Sequence, residues 1–302
     1  MKALAAASLA VALGGFFTAA LAQSGRLEKI KETGAITLGH PDASVPFAYL
    51  DGNQKPIGYT VEICQNVVQE IKAQLKLTKL DVHYNPVTSA TRIQLLANGT
   101  IDLECGNTTN NADRHKFVEF APTTFVAQVV LTARKDAGVD VNDIASFRGK
   151  TIAAQAGGQN FKVVSQANAK GKYGITVVPT NDVAQTFMMM ETGRASASAN
   201  DDGLAYALVA MSKNPDAFAV SKKGLEVAPY GIVLPKDDPE YKKVVDAAVV
   251  KLIKSGKVAE LYAKYFNSPI PPHNVNLKYP MSEALKRALK NPTDSPDASA
   301  YE

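Results

Sequence analysis

Two successive series of alternating strand and helix patterns constrain the fold of this chain more than any other feature. The first series predicts a short helix over 27–33, strands over 35–40, 80–84 and 101–105, and a helix that starts at Gly58-Tyr59. Apolar residues recur along that helix at the spacing of one helical face. Strands that alternate with helices form a mainly parallel sheet flanked by helices, so the first series predicts an α/β unit.

The second series follows Phe120-Ala121-Pro122, which interrupts the pattern, and begins with an apolar segment over 125–131. Strands are predicted over 151–154 and 176–178, each followed by a helix, and one further crossing strand is predicted over 229–234. A chain of 302 residues is long for one core and comfortable for two. We therefore expect two α/β units.

Residues 1–22 have the pattern of a cleaved secretory signal peptide. Lys2 precedes an uncharged run, and Ala20-Leu21-Ala22 is a small-x-small cleavage site before Gln23. A membrane anchor is the competing interpretation, because the run is long enough to span a bilayer. Glycines and the cleavage site favour the leader, so we expect a soluble periplasmic protein of a Gram-negative bacterium.

The charge of the chain gives no reason to expect a nucleic-acid partner. The formal net charge is +4, and it falls to +3 when Lys2 leaves with the leader. Nucleic-acid binding proteins carry a stronger basic excess.

The only two cysteines, Cys64 and Cys105, have two interpretations of equal weight. In an oxidising compartment they can form one disulfide. Each also stands where a core residue is expected, so both can be packed, reduced thiols.

The stretch over 86–114 places two arginines among small hydroxyl and amide residues. Arg92 follows three hydroxyl residues, and Arg114 follows a hydroxyl- and amide-rich loop over 107–111. This loop leaves the carboxyl end of a predicted strand, where open α/β sheets bind their ligands. A guanidinium fits a carboxylate through two parallel hydrogen bonds, so the stretch favours a site for a small anion or zwitterion. An ordinary solvated arginine at position 114 is the alternative.

Short motifs of specific spacing run across nearly the whole chain after the leader. They include Ser44-Val45-Pro46-Phe47, Gly58-Tyr59, Leu95-Leu96-Ala97-Asn98-Gly99, Asp102-Leu103-Glu104-Cys105-Gly106, Thr108-Thr109-Asn110-Asn111 with Arg114, Asp201, Tyr230-Gly231 and Asn267-Ser268-Pro269-Ile270-Pro271-Pro272. In this order they resemble the periplasmic amino-acid-binding proteins of ABC importers, solute-binding protein family 3. The resemblance is strongest to the glutamate/aspartate-binding branch.

The resemblance implies a type II periplasmic-binding-protein fold, in which each of two lobes is a mainly parallel sheet flanked by helices. The first lobe would comprise 27–124 and 231–282, and the second 125–230. Hinge strands are expected at 124–128 and 226–230, and a loosely ordered tail at 283–302. The lobes would close over a free amino acid and present it to the membrane subunits of the importer.

The resemblance also implies a role for each site residue. Arg114 should bind the α-carboxylate, helped by the backbone N–H of Thr109 and by the loop from Gly157 to Gln159. The α-ammonium should be bound by Asp201 and the backbone carbonyl of Asn107. The helix N-cap is the alternative role for Asp201.

The implied specificity rests on Ser89 and Arg92, which would hold a side-chain carboxylate. The family has an arginine where this chain has Pro41 and a histidine where it has Val183. Losing two cationic partners weakens a site for a second carboxylate. Glutamate or aspartate is therefore the first expectation, and glutamine, asparagine or another polar amino acid is the alternative.

An enzyme is the rival class, because a periplasmic cyclohexadienyl dehydratase resembles these binders. Such chemistry needs a general acid, and the one candidate in the central stretch, Glu104, is predicted to point toward the fold. The sequence contains no G-x-S-x-G or H-E-x-x-H motif and no metal-ligand spacing. We expect a monomeric binding protein without catalytic residues, cofactor or metal; a detached sensor domain would have the same sequence features.

Overall fold

A computed structural model of the chain describes residues 25–301, so the predicted leader at 1–22 lies outside the described residues. The helices are α1 (Arg26–Thr33), α2 (Tyr59–Gln74), α3 (Arg92–Ala97), α4 (Gln159–Gly171), α5 (Val183–Glu191), α6 (Asp202–Met211), α7 (Pro239–Lys254), α8 (Lys257–Phe266) and α9 (Glu283–Lys290). The strands are β1 (Ala35–His40), β2 (Ala43–Ser44), β3 (Ala48–Leu50), β4 (Pro56–Ile57), β5 (Asp81–Pro86), β6 (Leu103–Glu104), β7 (Val118–Phe120), β8 (Phe125–Arg134), β9 (Thr151–Gln155), β10 (Thr176–Thr180), β11 (Ala197–Asp201), β12 (Phe218–Val220), β13 (Val227–Tyr230), β14 (Val233–Pro235), β15 (Pro269–Ile270) and β16 (Val275–Asn276).

The first lobe is built on a five-stranded sheet of order β5-β1-β6-β14-β7. Strand β1 is parallel to β5 and β6, whereas β14 runs antiparallel to β6 and β7. The carboxyl ends of β1 and β6 therefore meet at one edge, and the loop that carries Arg114 starts there.

The second lobe is built on a sheet of order β10-β9-β11-β8-β12. Strand β9 is parallel to β10 and β11, and the long strand β8 is antiparallel to β11. The carboxyl end of β9 leads into Gly157 and α4, and that of β11 carries Asp201. Both lobes thus follow the predicted α/β pattern.

Two strands carry the chain between the sheets. Strand β8 leads from the first sheet into the second, β13 leads back to β14, and the two pair antiparallel with Phe125 opposite Tyr230. The single strand predicted over 229–234 is wrong, because Gly231 and Ile232 belong to no strand and separate β13 from β14. A Cβ at Gly231 would lie 2.6 Å from the carbonyl oxygen of Ala121, so a side chain does not fit at this break.

Aromatic side chains fill the space around these crossing strands. Fully or almost fully buried rings pack edge-to-face or stacked, and they belong to Phe47, Tyr59, Phe125, Tyr230, Tyr262 and Phe266. Burying each such side chain contributes about 1.5–3 kcal/mol. Gly203 of the second lobe packs directly on this cluster, since a Cβ there would lie 3.1 Å from Phe47 and 3.2 Å from Phe125.

The expectation of a loosely ordered tail at 283–302 is wrong for the described residues. Ser282 caps α9 by accepting from the N–H of Leu285, and the apolar face of α9 buries Leu285 and Ala288. Tyr301 is only 1% exposed, and its hydroxyl pairs with Thr123 at 2.8 Å. The prediction failed because it relied on the charged composition of the tail, whereas α9 is amphipathic and Tyr301 is buried.

The tail also reaches the loop before Arg114. The side-chain N–H of Asn110 donates to the carbonyl oxygen of Asp294 at 2.9 Å, and Lys242 pairs with the carboxylate of Asp294 at 2.7 Å. The tail is therefore packed on the first lobe.

Cys64 and Cys105 form a disulfide with Cα atoms 6.1 Å apart, which decides between the two interpretations left open by the sequence. The bond ties the buried face of α2 to the residue that follows β6. It therefore fixes the start of the loop that leads to Arg114. Within 25–301, no helix has the length and apolarity needed to cross a membrane.

Replacing both cysteines, Cys64→Ala with Cys105→Ala, should lower the free energy of unfolding by about 2–4 kcal/mol. The bond closes a loop with a sequence separation of 41 residues, and opening it gives the unfolded chain more conformations. Denaturant titration followed by circular dichroism measures the difference, with reduced wild-type protein as the control. Equal unfolding midpoints for the oxidised protein and the variant would contradict this role.

Candidate functional site

The loop after β6 is held against the crossing strand β13. Thr109 forms a β-bridge with Tyr230, and the N–H of Asn110 donates to the carbonyl oxygen of Pro229 at 2.7 Å. Thr108, Thr109 and Asn110 are all buried. This pairing gives the polar loop a fixed backbone although it belongs to no sheet.

Arg114 lies on a short 3-10 turn and contacts both lobes. Its side chain is buried, with Nη1 donating to the carbonyl oxygen of Thr109 at 2.6 Å. Nη2 donates to the carbonyl oxygen of Gly157, in the second lobe, at 3.5 Å. Burial lowers the pKa of Arg114, and the nearby positive charge of Arg92 lowers it further. Arg114 is therefore a desolvated guanidinium and not the solvated arginine of the alternative interpretation.

Asp201 ends β11 and is 2% exposed. Although it occupies the N-cap position of α6, its side chain makes no cap hydrogen bond. Instead, Oδ1 accepts from Asn160 Nδ2 at 2.9 Å and Oδ2 accepts from the hydroxyl of Tyr230. Burial raises the pKa of Asp201 to about 7, while the hydrogen bonds from Tyr230 and Asn160 oppose the rise.

The amino end of α4 forms the second-lobe wall of the site. Gly157 has φ +71°, and a Cβ there would lie 2.9 Å from Ala90 Cα and 3.1 Å from the carbonyl oxygen of Ser89. Only glycine allows this approach of the lobes without strain. The free N–H groups at the start of this thirteen-residue helix favour an anion.

The amide of Gln159 joins three parts of the chain. Its Oε1 accepts from Asn111 Nδ2 at 2.9 Å, and its Nε2 donates to Glu226 Oε1 at 2.5 Å. The amide at position 159 therefore bridges the first lobe and the segment before β13.

Arg92 is buried at the start of α3, beside a second buried carboxylate. Its Nη1 lies 3.7 Å from Oε1 of Glu104, and Glu104 Oε2 accepts from the hydroxyl of Thr108 at 2.6 Å. The expectation that Glu104 points into the fold agrees with its burial. However, its partners Arg92 and Thr108 place it next to the loop that leads to Arg114.

A cavity of about 580 Å³ lies between the lobes, and none of Ser89, Arg92, Arg114 and Asp201 is among its lining residues. Its lining includes Pro41, Ser44 and Thr88 from the first lobe and Gln155 and Asp182 from the second. At Pro41 and Val183 the chain lacks the cations that the resemblance implies. Pro41 lines the cavity, and Val183 is buried and follows Asp182 in the chain.

The structure brings most of the sequence-predicted site residues together. Arg114 is hydrogen-bonded to Thr109 and Gly157, and Gln159 is hydrogen-bonded to Asn111 of the same loop. Ser89 meets Gly157 through its backbone. Asn107 is buried. Burial and the charge of Asp201 raise the pKa of Tyr230, and a hydrogen bond with the side chain of Asn107 opposes this rise.

Sequence reasoning missed three of the polar partners. Asn160 and Tyr230 bind the carboxylate of Asp201, and Thr108 binds that of Glu104. Tyr230 and Thr108 stood in motifs, but no local pattern indicated their partners. The start of a helix after Gly157-Gly158 was the one available signal for Asn160.

Chemically, the site offers a fixed guanidinium, a fixed carboxylate and a helix amino end within one buried region. These groups suit a small zwitterion, because both of its charges stay paired when water leaves. A second guanidinium lies nearby in Arg92. Among residues 25–301, no cluster of three or more His, Cys, Asp or Glu side chains could hold a metal ion.

Comparison with known proteins identifies relatives along nearly the whole chain. The profile of the bacterial extracellular solute-binding proteins, family 3, matches residues 36–268. The L-glutamate/L-aspartate-binding protein of Pseudomonas aeruginosa is 43% identical over 272 residues, which cover 90% of this chain and 89% of the relative. The glutamate/aspartate import solute-binding protein of Escherichia coli K12 is 35% identical over 292 residues, which cover 97% and 96%.

Solved structures share the two-lobed architecture. A mutant of ArgBP from T. maritima is 27% identical with a TM-score of 0.71, and the match covers 79% of this chain and 98% of that one. A Streptococcus pneumoniae ABC uptake transporter substrate binding protein with bound histidine is 20% identical with a TM-score of 0.71, covering 80% and 96%. The second likeness concerns the fold alone. Together they confirm the predicted fold class.

The buried carboxylate of Asp201 should make stability depend on pH. The folded protein keeps a proton on Asp201 up to a pKa of about 7, whereas the unfolded chain releases it near 3.8. Folded molecules therefore bind more protons between these values, and raising the pH through this window destabilises them by about 1.4 kcal/mol per pH unit.

The measurement compares unfolding free energies of the ligand-free wild type and Asp201→Asn at several pH values. The wild type should lose stability relative to the variant between pH 4 and 7 and change little above. Parallel pH profiles for the two proteins would show that the carboxylate is not buried as described.

Proposed function

The chain belongs to family 3 of the bacterial extracellular solute-binding proteins, and we propose that it captures glutamate or aspartate between its lobes and delivers it to an ABC importer. The relatives with the highest identity reported above are named for binding these two amino acids. The observation that carries the proposal is the burial of Arg114 and Asp201 against the same turn of the second lobe, through Gly157 and Asn160.

In this proposal Arg114 binds the α-carboxylate together with the N–H of Thr109 and the amino end of α4. Asp201 accepts from the α-ammonium, with the backbone carbonyl of Asn107 beside it. Arg114 now donates to two backbone carbonyls, and a carboxylate is a stronger acceptor for the same donors. Ligand binding would thus replace neutral partners by a charged one.

Ser89 and Arg92 bind the side-chain carboxylate in the same proposal. Both lie on the first lobe. Their chain neighbours Thr88 and Thr91 line the 580 Å³ cavity, which has room for a side chain longer than that of alanine. With Arg114 assigned to the α-carboxylate, Arg92 is the cation that we assign to this second carboxylate.

A neutral polar amino acid such as glutamine or asparagine is the second candidate. Pro41 and Val183 favour it, because neither can supply the positive charge that the acidic-ligand branch is expected to have there. Amide groups from Asn181 and Gln155 line the cavity instead.

We propose a transport role and no enzymatic one. The relatives above are named as binding proteins, and that of Escherichia coli is named for import. The surroundings of Glu104, the one candidate general acid in the central stretch, give the dehydratase alternative no support. Glu104 is occupied by Thr108 and lies beside Arg92.

The proposed movement is a hinge closure of lobe 27–124 plus 231–282 over lobe 125–230, about strands at 124–128 and 226–230. The antiparallel pairing of β8 with β13 supports this hinge position. We place the protein in the periplasm as a monomer, after removal of 1–22, where the importer's membrane subunits would recognise the closed form.

Arg114→Ala should weaken glutamate binding by about 2–5 kcal/mol, because it leaves the ligand carboxylate desolvated and unpaired. Isothermal titration calorimetry with glutamate, aspartate, glutamine and asparagine measures the loss and tests the proposed ligand class. Arg194→Ala is the matched control, since Arg194 is exposed near the start of β11, away from Asp201. Wild-type protein that binds none of the four amino acids would refute the proposed function.

Arg92→Ala should weaken glutamate binding far more than glutamine binding. The lost guanidinium is the proposed partner of a side-chain carboxylate, and a carboxamide loses only a neutral hydrogen bond, worth about 0.5–1.5 kcal/mol. The two dissociation constants are compared in the same calorimetric series. Equal losses for the two ligands would mean that Arg92 does not contact the side chain.

A further inference from the structure

Glu104 is a buried carboxylate to which the proposed function gives no role. It ends β6 and is 1% exposed, with Oε2 bound to the hydroxyl of Thr108. Its other oxygen, Oε1, has no hydrogen-bond partner among the described residues, and neither has Nε of Arg92. Oε1 lies 3.7 Å from Arg92 Nη1, close enough for an ion pair.

The surroundings hold this carboxylate in place. A Cβ at Gly106 would lie 2.4 Å from Glu104 Oε1 and 2.9 Å from Cδ of Pro41, so the carboxylate fills space that a side chain at position 106 would need. The backbone of Glu104 is paired with Gly39 and Val233 in the sheet, and the next residue is in the disulfide. Glu104 is therefore fixed and cannot turn to solvent.

Four charged side chains act on one another in this region: Arg92, Arg114, Glu104 and Asp201. After burial, Arg92 is the strongest influence that lowers the pKa of Arg114, and Glu104 is the strongest that raises it. When Asp201 is ionised, above its pKa of about 7, the two guanidiniums and the two carboxylates cancel in formal charge. A glutamine zwitterion leaves that balance unchanged, whereas glutamate adds one negative charge.

We propose that Glu104 determines specificity through Arg92, holding its guanidinium beside the ligand's side chain and offsetting part of its charge. Glu104 is thus a positioning residue that sets how strongly the site prefers a side-chain carboxylate to a carboxamide. This inference rests on the proposed function. With Pro41 and Val183 in place of cations, Arg92 and Glu104 are the charged pair that decides this preference.

The test is Glu104→Gln, which keeps the size of the side chain and an oxygen that accepts from Thr108. Calorimetry gives the dissociation constants for glutamate and for glutamine in the wild type, Glu104→Gln, Arg92→Gln and the double variant. Removing the offsetting charge should shift the ratio of the two constants about tenfold toward glutamate. The same change in the Arg92→Gln background should leave the ratio within about twofold of that in Arg92→Gln alone, because Glu104 acts through Arg92.

A purely structural role would weaken both ligands equally, so an unchanged ratio in Glu104→Gln overturns the inference. Arg92→Gln gives an independent test if Glu104→Gln does not fold. Because Glu104 acts through this guanidinium, its loss should abolish the preference for glutamate over glutamine. Arg92→Gln that keeps the wild-type ratio of the two constants overturns the inference. Wild-type protein that binds neither ligand overturns the proposed function as well.

Discussion

Burial of Arg114 between the two lobes is the constraint from which the rest of the site follows. A desolvated guanidinium is costly unless its donors are satisfied, and it donates to the carbonyl oxygen of Thr109 on one lobe and to that of Gly157 on the other. The fork of donors therefore ties the lobes together. A buried carboxylate is costly in the same way, and the oxygens of Asp201 accept hydrogen bonds from Asn160 and Tyr230.

These contacts require backbones that do not shift, and several parts of the fold supply them. The loop before Arg114 is paired with β13, fixed at its start by the Cys64–Cys105 disulfide and contacted by the tail through Asn110. The aromatic cluster around Phe125 packs where the chain crosses between the sheets. Rigid ends joined at a narrow connection are the arrangement that hinge closure needs.

The sequence predicted what depends on local pattern, and failed where distant residues decide. Strand β1 and the start of α2 follow from periodicity and turn residues, and the motifs around Arg114 and Asp201 indicated a zwitterion site. The partners Asn160 and Tyr230 come from other parts of the chain, so no spacing predicted them. The close approach of the Ala121 carbonyl oxygen to Gly231, between β13 and β14, and the hydrogen bond of Tyr301 with Thr123 likewise join distant parts of the chain.

Charge balance connects the site to the choice of ligand. A buried region tolerates few unpaired charges, so each added or removed charge changes which ligand completes it. At positions 41 and 183 this chain carries apolar residues, and Pro41 packs against the start of the loop at Gly106. The cations of the proposed site are Arg114, which contacts both lobes, and Arg92, which lies beside Glu104. In that proposal, selectivity for a second carboxylate depends on the guanidinium of Arg92 and on the carboxylate of Glu104 next to it.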